Sequence, residues 1–375
     1  MKIGIDIRLI GKKRTGDEAV FFNLVKNLAE IDSGNQYFLF SDRDPKKDAD
    51  LAGEIKKLNL KDNFKIIFLN SLNRFCWNLW TLSNYLRKNG VDVFHTQYIA
   101  PFWLPKKVKL VLTIHDISFS FFPEYIKKSD LFFLKTLIPR SIRRADKIIT
   151  VSQSEKKNII DFYKIPPEKI DCAYNGVDFE RFSRAYSAEE KENIRKKYTL
   201  PEKFLLYIGT LQPRKNIPSA IEALKDLDMP LVLAGNRQAR NFDPKIDEAI
   251  KKYNLQKSVI FPGWIDEDDK PALLQMAECF VFPSLYEGFG IPVIEAMAAG
   301  TPVVCSDIPV LREIGKNAAL FCEAKNSREF AENILKILAD ENFRNSLIEK
   351  GKNIAQNFTW QKTAEKTLKI YEFLG

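Results

Sequence analysis

Between Phe282 and Val304 the chain reads FPSLYEGFGIPVIEAMAAGTPVV, and this segment determines the fold class. The apolar run that stops at Pro283 predicts a buried strand. The turn EGFG then leads into IPVIEAMAAG, whose apolar spacing and early Pro292 predict a helix that ends at Gly300. A strand, a glycine turn and a helix make half of a βαβ unit. The N–H groups of the turn and the helix dipole would face an anion above the strand end.

Two carboxylates frame this turn. Glu287 lies in the loop and Glu295 about one turn into the helix. Carboxylates repel phosphate, but each can accept two hydrogen bonds from the adjacent hydroxyls of a sugar or a ribose. The alternative interpretation is a solvated loop acid and an exposed helix position. The spacing alone does not choose between them.

The sequence EGFGIPVIEAMAAGTPVV resembles the signature of the retaining, nucleotide-sugar-dependent glycosyltransferases of the GT-B fold, family 4 type (glycosyl transferases group 1). The resemblance implies an α/β protein with two Rossmann-like domains and an active site in the cleft between them. It also implies that Glu287 lies beside the donor sugar and that Glu295 binds the nucleotide ribose. The turn residues Gly288, Phe289 and Gly290 would then lie against the nucleotide.

The 375 residues are enough for two domains, each with its own core. We predict an N-terminal, acceptor-side Rossmann-like domain at residues 1–180 and a C-terminal nucleotide-sugar domain at residues 198–356. The resemblance implies that a last helix, at residues 357–375, packs back on the N-terminal domain.

The first strand, Lys2 to Ile7, is followed by a loop that runs from Arg8 to Gly16. In an open α/β sheet this loop lies at the carboxyl edge, where ligands bind. The resembling family carries a close pair of glycines here, and Gly16 matches one of them, so we predict that it contacts phosphate. Asp17-Glu18 stands where the second glycine and a basic or polar residue are common, which leaves phosphate contact by this loop open.

The chain has only two histidines, and both lie at the ends of predicted strands. A histidine in such a position is commonly a local hydrogen-bonding residue, and we interpret His95 in this way, as a cleft-wall residue. The segment TIHD resembles the family segment whose histidine lies next to the donor sugar. His115 and Glu287 are therefore the predicted catalytic residues.

The first strand of the second half, Phe204 to Ile208, leads into GTLQPRKN. Arg214 and Lys215 in this loop suit a pyrophosphate, because arginine offers a fork of donors and lysine a point charge. Such donors stabilise a leaving nucleoside diphosphate as its negative charge grows in the transition state. The segment GTLQPRKNI also resembles the phosphate-binding segment of the family. Gly263 matches a position of the family that contacts the nucleotide base.

The net charge of +9 calls for an explanation. Nucleic acid, an anionic membrane, an acidic substrate and an ordinary solvated surface all fit it. No nucleic-acid-binding motif is present, so no nucleic-acid partner is predicted. Residues 117–144 mix five phenylalanines with six basic residues. They suit peripheral contact with an anionic membrane, as a lipid-linked acceptor requires, but we favour an ordinary core helix.

No apolar run is long enough to span a membrane, and the first residues lack a signal-peptide core. We therefore expect a cytoplasmic protein, with attachment to the cytoplasmic face of the membrane as an option. The five cysteines have no metal-binding spacing, which predicts reduced thiols and no zinc site. No DxD-like carboxylate pair is placed for a metal ion, so no cofactor and no metal are expected.

We predict a hexosyltransferase that moves a hexose-type sugar from a nucleotide-diphosphate sugar to a glycan or lipid-linked glycan in cell-surface polysaccharide synthesis. Retention of the anomeric configuration is implied by the resemblance alone. The resemblance is compatible with several donor sugars and several nucleotide bases. The alternatives are a nucleotide-sugar epimerase of the same architecture and a catalytically silent glycan- or membrane-binding homologue.

Overall fold

The computed structural model describes residues 1–12, 16–239 and 241–375. The chain forms two compact units, which we call unit 1 (Met1–Gly176 with Trp360–Gly375) and unit 2 (Val177–Thr359). Each unit is a parallel sheet accompanied by helices. The predicted fold class, α/β with two Rossmann-like halves, is confirmed.

The strands of the two units form separate sheets. Unit 1 contains β1 (Lys2–Asp6), β2 (Gln36–Ser41), β3 (Phe64–Phe68), β4 (Val93–Gln97), β5 (Lys109–Ile114), β6 (Lys147–Thr150) and β7 (Ile170–Cys172). Unit 2 contains β8 (Leu205–Ile208), β9 (Leu231–Ala234), β10 (Val259–Gly263), β11 (Cys279–Phe282), β12 (Val303–Ser306) and β13 (Ala319–Cys322).

Helices connect these strands. Unit 1 begins with α1 (Gly16–Ile31), α2 (Ala49–Lys57), α3 (Arg74–Cys76), α4 (Leu82–Asn89), α5 (Ser118–Phe121), α6 (Lys128–Arg144) and α7 (Gln153–Tyr163). Unit 2 contains α8 (Phe179–Ser183), α9 (Ala188–Lys197), α10 (Ile217–Ala223), α11 (Lys245–Lys252), α12 (Lys270–Met276), α13 (Ile291–Ala299), α14 (Pro309–Gly315), α15 (Ser327–Ala339) and α16 (Glu341–Ala355). The chain returns to unit 1 with α17 (Trp360–Leu374).

Both sheets reverse their strand order next to their first strand. In the described residues the orders are β3-β2-β1-β4-β5-β6-β7 and β10-β9-β8-β11-β12-β13, and the paired strands are parallel. Short apolar strands such as β11, which is buried along its whole length, are typical of parallel sheets covered on both faces. Open α/β sheets bind ligands at the carboxyl ends of the strands where the order reverses. In unit 2 that point lies between β8 and β11.

The last helix belongs to the core of unit 1. Helix α17 packs on α1, and its Tyr371 hydroxyl lies 2.5 Å from Nδ1 of His95, whose Nε2 lies 2.7 Å from Thr113 Oγ1. His95 is completely buried, and burial lowers its pKa to about 3. The local hydrogen-bonding role is therefore correct, but the cleft-wall position is wrong because the ring has no solvent contact.

The interpretation of residues 117–144 as core is wrong for two of their five phenylalanines. Phe119 is buried, whereas Phe121 and Phe132 are 45% and 66% exposed. The segment is broken into α5, a 3-10 turn at Pro123–Tyr125 and α6, so it does not form one helix. Helix α6 buries only Ile138, Ser141 and Ile142.

Candidate active site

Two loops of unit 2 meet at the carboxyl ends of β8 and β11. The N–H group of Leu285 donates to the Arg214 carbonyl at 2.9 Å. The side-chain amide of Asn216 donates to the carbonyls of Pro283 and Ala324, at 3.1 and 2.6 Å. These bonds hold the loop at 209–216 against the loop at 283–290, so residues far apart in the sequence form one cluster.

The centre of this cluster is an ion-paired carboxylate. Lys215 Nζ lies 2.5 Å from Glu287 Oε1, and Arg214 Nη1 lies 3.6 Å from Glu287 Oε2. All three side chains are at most 15% exposed. Burial on its own raises the pKa of Glu287, but Lys215 and Arg214 outweigh that effect and leave this pKa below its usual value. Glu287 is therefore ionised at neutral pH.

The turn after Glu287 is packed closely against neighbouring side chains. Phe289 is buried, with its ring 5.7 Å from that of Phe358. Gly290 has a φ of +106°, and a Cβ atom there would come within 2.9 Å of Leu311 Cδ2. Only glycine combines this backbone conformation with this close contact. The buried Gly288 and the start of α13 follow the ion-paired cluster directly, so the positive end of the α13 dipole faces the same side.

Glu295 is buried and paired, which excludes an exposed helix position. Its Oε1 accepts a hydrogen bond of 2.9 Å from Lys270 Nζ, and Glu267 lies 3.1 Å from the same ammonium group. Burial raises the pKa of Glu295, Lys270 opposes this rise, and the net pKa lies above its usual value. Burial lowers the pKa of Lys270, but Glu295 and Glu267 outweigh this effect, and the net pKa of Lys270 also lies above its usual value.

The remaining nucleotide candidates, Gly263 and Gly16, belong to other elements of the two units. Gly263 ends β10 with a φ of +84° and open space around its Cβ position. The next residue, Trp264, exposes 53% of its surface. Gly16 is the exposed first residue of α1 in unit 1, and a Cβ there would also meet nothing within 4 Å.

His115 lies in unit 1, at the end of β5. Its Nε2 is 2.7 Å from Gln97 Oε1, and the ring is 6% exposed. With Gln97 Oε1 as the acceptor, Nε2 carries the proton and Nδ1 keeps a lone pair. In the part of the chain that the structure describes, Nδ1 has no hydrogen-bond partner. A buried ring nitrogen without a partner is uncommon in proteins.

Sequence reasoning missed three supporting residues: Gln97, Asn216 and Lys270. None of them lies in a recognisable spacing with the group that it contacts. Lys270 is the first residue of α12 and follows a turn at residues 266–269. Residues 1–12, 16–239 and 241–375 contain no group of three His, Cys, Asp or Glu side chains that could hold a metal ion. Over the same ranges, none of the helices is long and apolar enough to cross a membrane.

Comparisons with known proteins place the chain in a family. Residues 15–181 match the model for Glycosyltransferase Family 4, and residues 190–354 match that for glycosyl transferases group 1. The O-antigen chain mannosyltransferase B of Escherichia coli is 31% identical over 281 residues, which are 73% of this chain and 73% of that protein. This chain belongs to glycosyltransferase family 4. It is a glycosyltransferase enzyme, as predicted.

Further relatives and solved structures agree with this assignment. The serotype-specific mannosyltransferase WbdA of Escherichia coli is 35% identical over 231 residues, which are 59% of this chain and 28% of that protein. Sucrose-phosphate synthase from Thermosynechococcus elongatus superposes with a TM-score of 0.78 at 21% identity, covering 100% of this chain and 99% of that one. Anabaena HepE in complex with UDP and glucose gives 0.75 at 18% identity, covering 99% of both chains. These structures share the GT-B fold of this glycosyltransferase.

Proposed function

We propose that this glycosyltransferase moves a hexose-type sugar from a nucleoside-diphosphate sugar to a glycan or lipid-linked glycan in cell-surface polysaccharide synthesis. The observation that carries the proposal is the cluster of Arg214, Lys215 and Glu287 at the carboxyl ends of β8 and β11. Mannose is the first sugar to test, because the O-antigen chain mannosyltransferase B and WbdA of Escherichia coli carry mannosyltransferase names.

The charges of the cluster suit a diphosphate leaving group. Two cations face one carboxylate, so the cluster has a surplus positive charge that a diphosphate can neutralise. Arg214 and Lys215 would bind the diphosphate more tightly as the sugar–oxygen bond breaks and negative charge moves onto it. We propose that these two cations neutralise the leaving diphosphate, as a metal ion does in other sites, so that no metal is required.

Each remaining polar group has a role in the proposal. The ionised Glu287 would accept hydrogen bonds from sugar hydroxyls and stabilise positive charge that develops at the anomeric carbon. Glu295 would accept hydrogen bonds from the ribose diol, and the amides of 288–290 would lie against the diphosphate. The Nδ1 lone pair of His115 would accept a hydroxyl of the sugar. We further propose that Gly16 approaches the phosphates, that Gly263 approaches the base, and that transfer retains the anomeric configuration.

A transfer assay tests the proposal. The purified protein is incubated with UDP-, GDP-, ADP- and dTDP-sugars and a panel of oligosaccharide acceptors, with and without EDTA. We expect one donor to give an elongated product whose new linkage has the donor's anomeric configuration by NMR. Glu287→Gln is expected to lose at least a hundredfold in rate when assayed well below its melting temperature, which should fall because Lys215 and Arg214 lose their buried partner.

Three results would contradict parts of the proposal. Full activity of Glu287→Gln would remove this residue from the mechanism, and an inverted linkage would exclude retention. Conversion of a nucleotide sugar into its epimer without any acceptor would favour an epimerase.

A further inference from the structure

Unit 1 exposes a group of large apolar side chains. Leu72, Phe75, Trp80, Trp103 and Phe132 have 93, 38, 59, 65 and 66% of their surface exposed. We call these five residues the aromatic surface. Single exposed apolar residues are ordinary, but a contiguous group of them on a folded protein marks an interaction site.

The members of the aromatic surface come from three segments that contact one another. The Phe75 ring lies 5.1 Å from that of Phe133, which in turn lies 5.9 Å from Phe132. The N–H group of Phe102 donates to the Asn78 carbonyl at 2.9 Å. The N–H group of Trp103 donates to Ser83 Oγ at 3.3 Å. The loop that carries Trp103 is therefore fixed to the segment that carries Trp80, which contains a π-helical turn at Trp77–Thr81.

A shallow groove of about 120 Å³ runs between these segments. Its apolar lining is formed by Phe75, Ile99, Phe102, Phe133, Leu134 and Leu137, together with the polar Asn78 and Asp130. Arg140 holds one wall in place, since its guanidinium lies 4.2 Å from the centre of the Phe102 ring and donates to the Phe102 carbonyl at 2.6 Å. The groove extends the exposed apolar area beyond the aromatic surface.

The same three segments carry an excess of positive charge. The stretch at 70–144, which holds all three, contains twelve Lys and Arg residues and four Asp and Glu residues. Its surplus of eight positive charges is close to the net charge of +9 of the whole chain. Exposed lysines flank the apolar residues directly in the sequence, at 106–107 and at 127–128.

We propose that this face of unit 1 docks on the surface of an anionic lipid bilayer. Aromatic side chains favour the depth of the lipid headgroups, and lysines near the surface are attracted to anionic lipid. A protein partner fits less well, because lysine is depleted at protein–protein interfaces, whereas here exposed lysines lie within a few residues of Trp103 and Phe132 in the sequence. The inference goes beyond sugar transfer, and it would bring the enzyme to the surface where a lipid-linked acceptor resides.

Vesicle flotation of the full-length protein tests the proposal. We expect binding to vesicles of 70% phosphatidylcholine and 30% phosphatidylglycerol, and at least tenfold weaker binding to phosphatidylcholine alone. The double variant Lys127→Glu/Lys128→Glu should lose at least tenfold in the partition coefficient, since each lysine contributes about fivefold. The double variant Trp103→Ser/Phe132→Ser should also lose at least tenfold, because it removes two exposed aromatic side chains that favour the headgroup region. All four side chains are exposed, so the melting temperatures should stay within a few degrees of wild type.

Matched controls come from unit 2. Leu335→Ser removes one exposed apolar side chain, which is 45% exposed, and Lys257→Glu reverses one exposed charge. Both should bind vesicles like wild type. Equal binding of the surface variants and the controls, equal binding to neutral and anionic vesicles, or no binding at all would overturn the proposal. Donor turnover with a soluble acceptor, measured on the same samples, separates loss of membrane binding from loss of catalysis.

Discussion

Replacement of Lys270 by methionine tests whether the buried pair with Glu295 determines the state of that carboxylate. Methionine keeps the apolar stem of lysine but has no ammonium group. The two side chains are 14% and 11% exposed, and their charged atoms are 2.9 Å apart. Removing one partner of such a pair leaves a charge in a site with little water, which costs about 3–5 kcal/mol of folding free energy.

The folding free energy that Lys270→Met loses depends on pH. Burial already raises the pKa of Glu295 above the ordinary value of 4.5, and loss of Lys270 raises it further. A carboxyl group whose pKa is raised by folding stabilises the folded state fully below its unfolded pKa. That stability is lost as the pH rises through the folded pKa. The difference between variant and wild type should therefore be small near pH 4.5 and largest above neutrality.

Urea denaturation at several pH values measures this difference. Glu267→Gln is the matched control: it removes the other carboxylate near Lys270, which is 29% exposed, and it should change stability by less than about 1 kcal/mol. The double variant Lys270→Met/Glu295→Gln should recover most of the loss, because it leaves no buried charge. A pH-independent loss in Lys270→Met, or no recovery in the double variant, would refute the reasoning.

The remaining predictions concern both units. Tyr371→Phe removes a buried hydrogen-bond partner of His95 and should lower the free energy of unfolding by about 1–3 kcal/mol, measured by urea denaturation. Because folding lowers the pKa of His95 from 6.5 to about 3, the wild type should lose stability as pH falls through this range, and His95→Gln should show a weaker dependence. Gly290→Ala should cost about 1–3 kcal/mol, because its φ is +106° and the new Cβ would meet Leu311. Gly53→Ala in α2, where nothing lies within 4 Å, should be neutral or slightly stabilising in the same assay.

Most of the fold could be predicted because parallel strands carry a strong local signal. β11 and β5 are short apolar runs between clear stop residues, and such runs are buried on both faces of a parallel sheet. The phenylalanines of 117–144 could not be placed in the same way. The segment is broken into α5, a 3-10 turn and α6, so no single helical or strand periodicity describes which side chains are buried.

The candidate site was predictable where a loop follows a strand. Arg214 and Lys215 follow β8, and Glu287 follows β11, so adjacent parallel strands bring them to one edge. The direct contact of Lys215 with Glu287 was not predicted, because it depends on the bonds that Asn216 makes to the opposite loop. Lys270 could not be found from sequence, since its partner lies in another helix and no spacing rule connects them.

Isothermal titration with UDP, GDP, ADP and dTDP tests the central claim, that unit 2 binds a nucleoside diphosphate through the cluster around Glu287. We predict that one base series binds to the wild type and that Lys215→Met weakens this binding at least tenfold. A hydrogen bond from a charged donor contributes about 1.5–3 kcal/mol, which corresponds to such a change in Kd. Lys203→Met, which alters an exposed lysine just before β8, should bind like wild type. Absence of binding by every nucleotide at millimolar concentration, or an unchanged Kd in Lys215→Met, would contradict the claim.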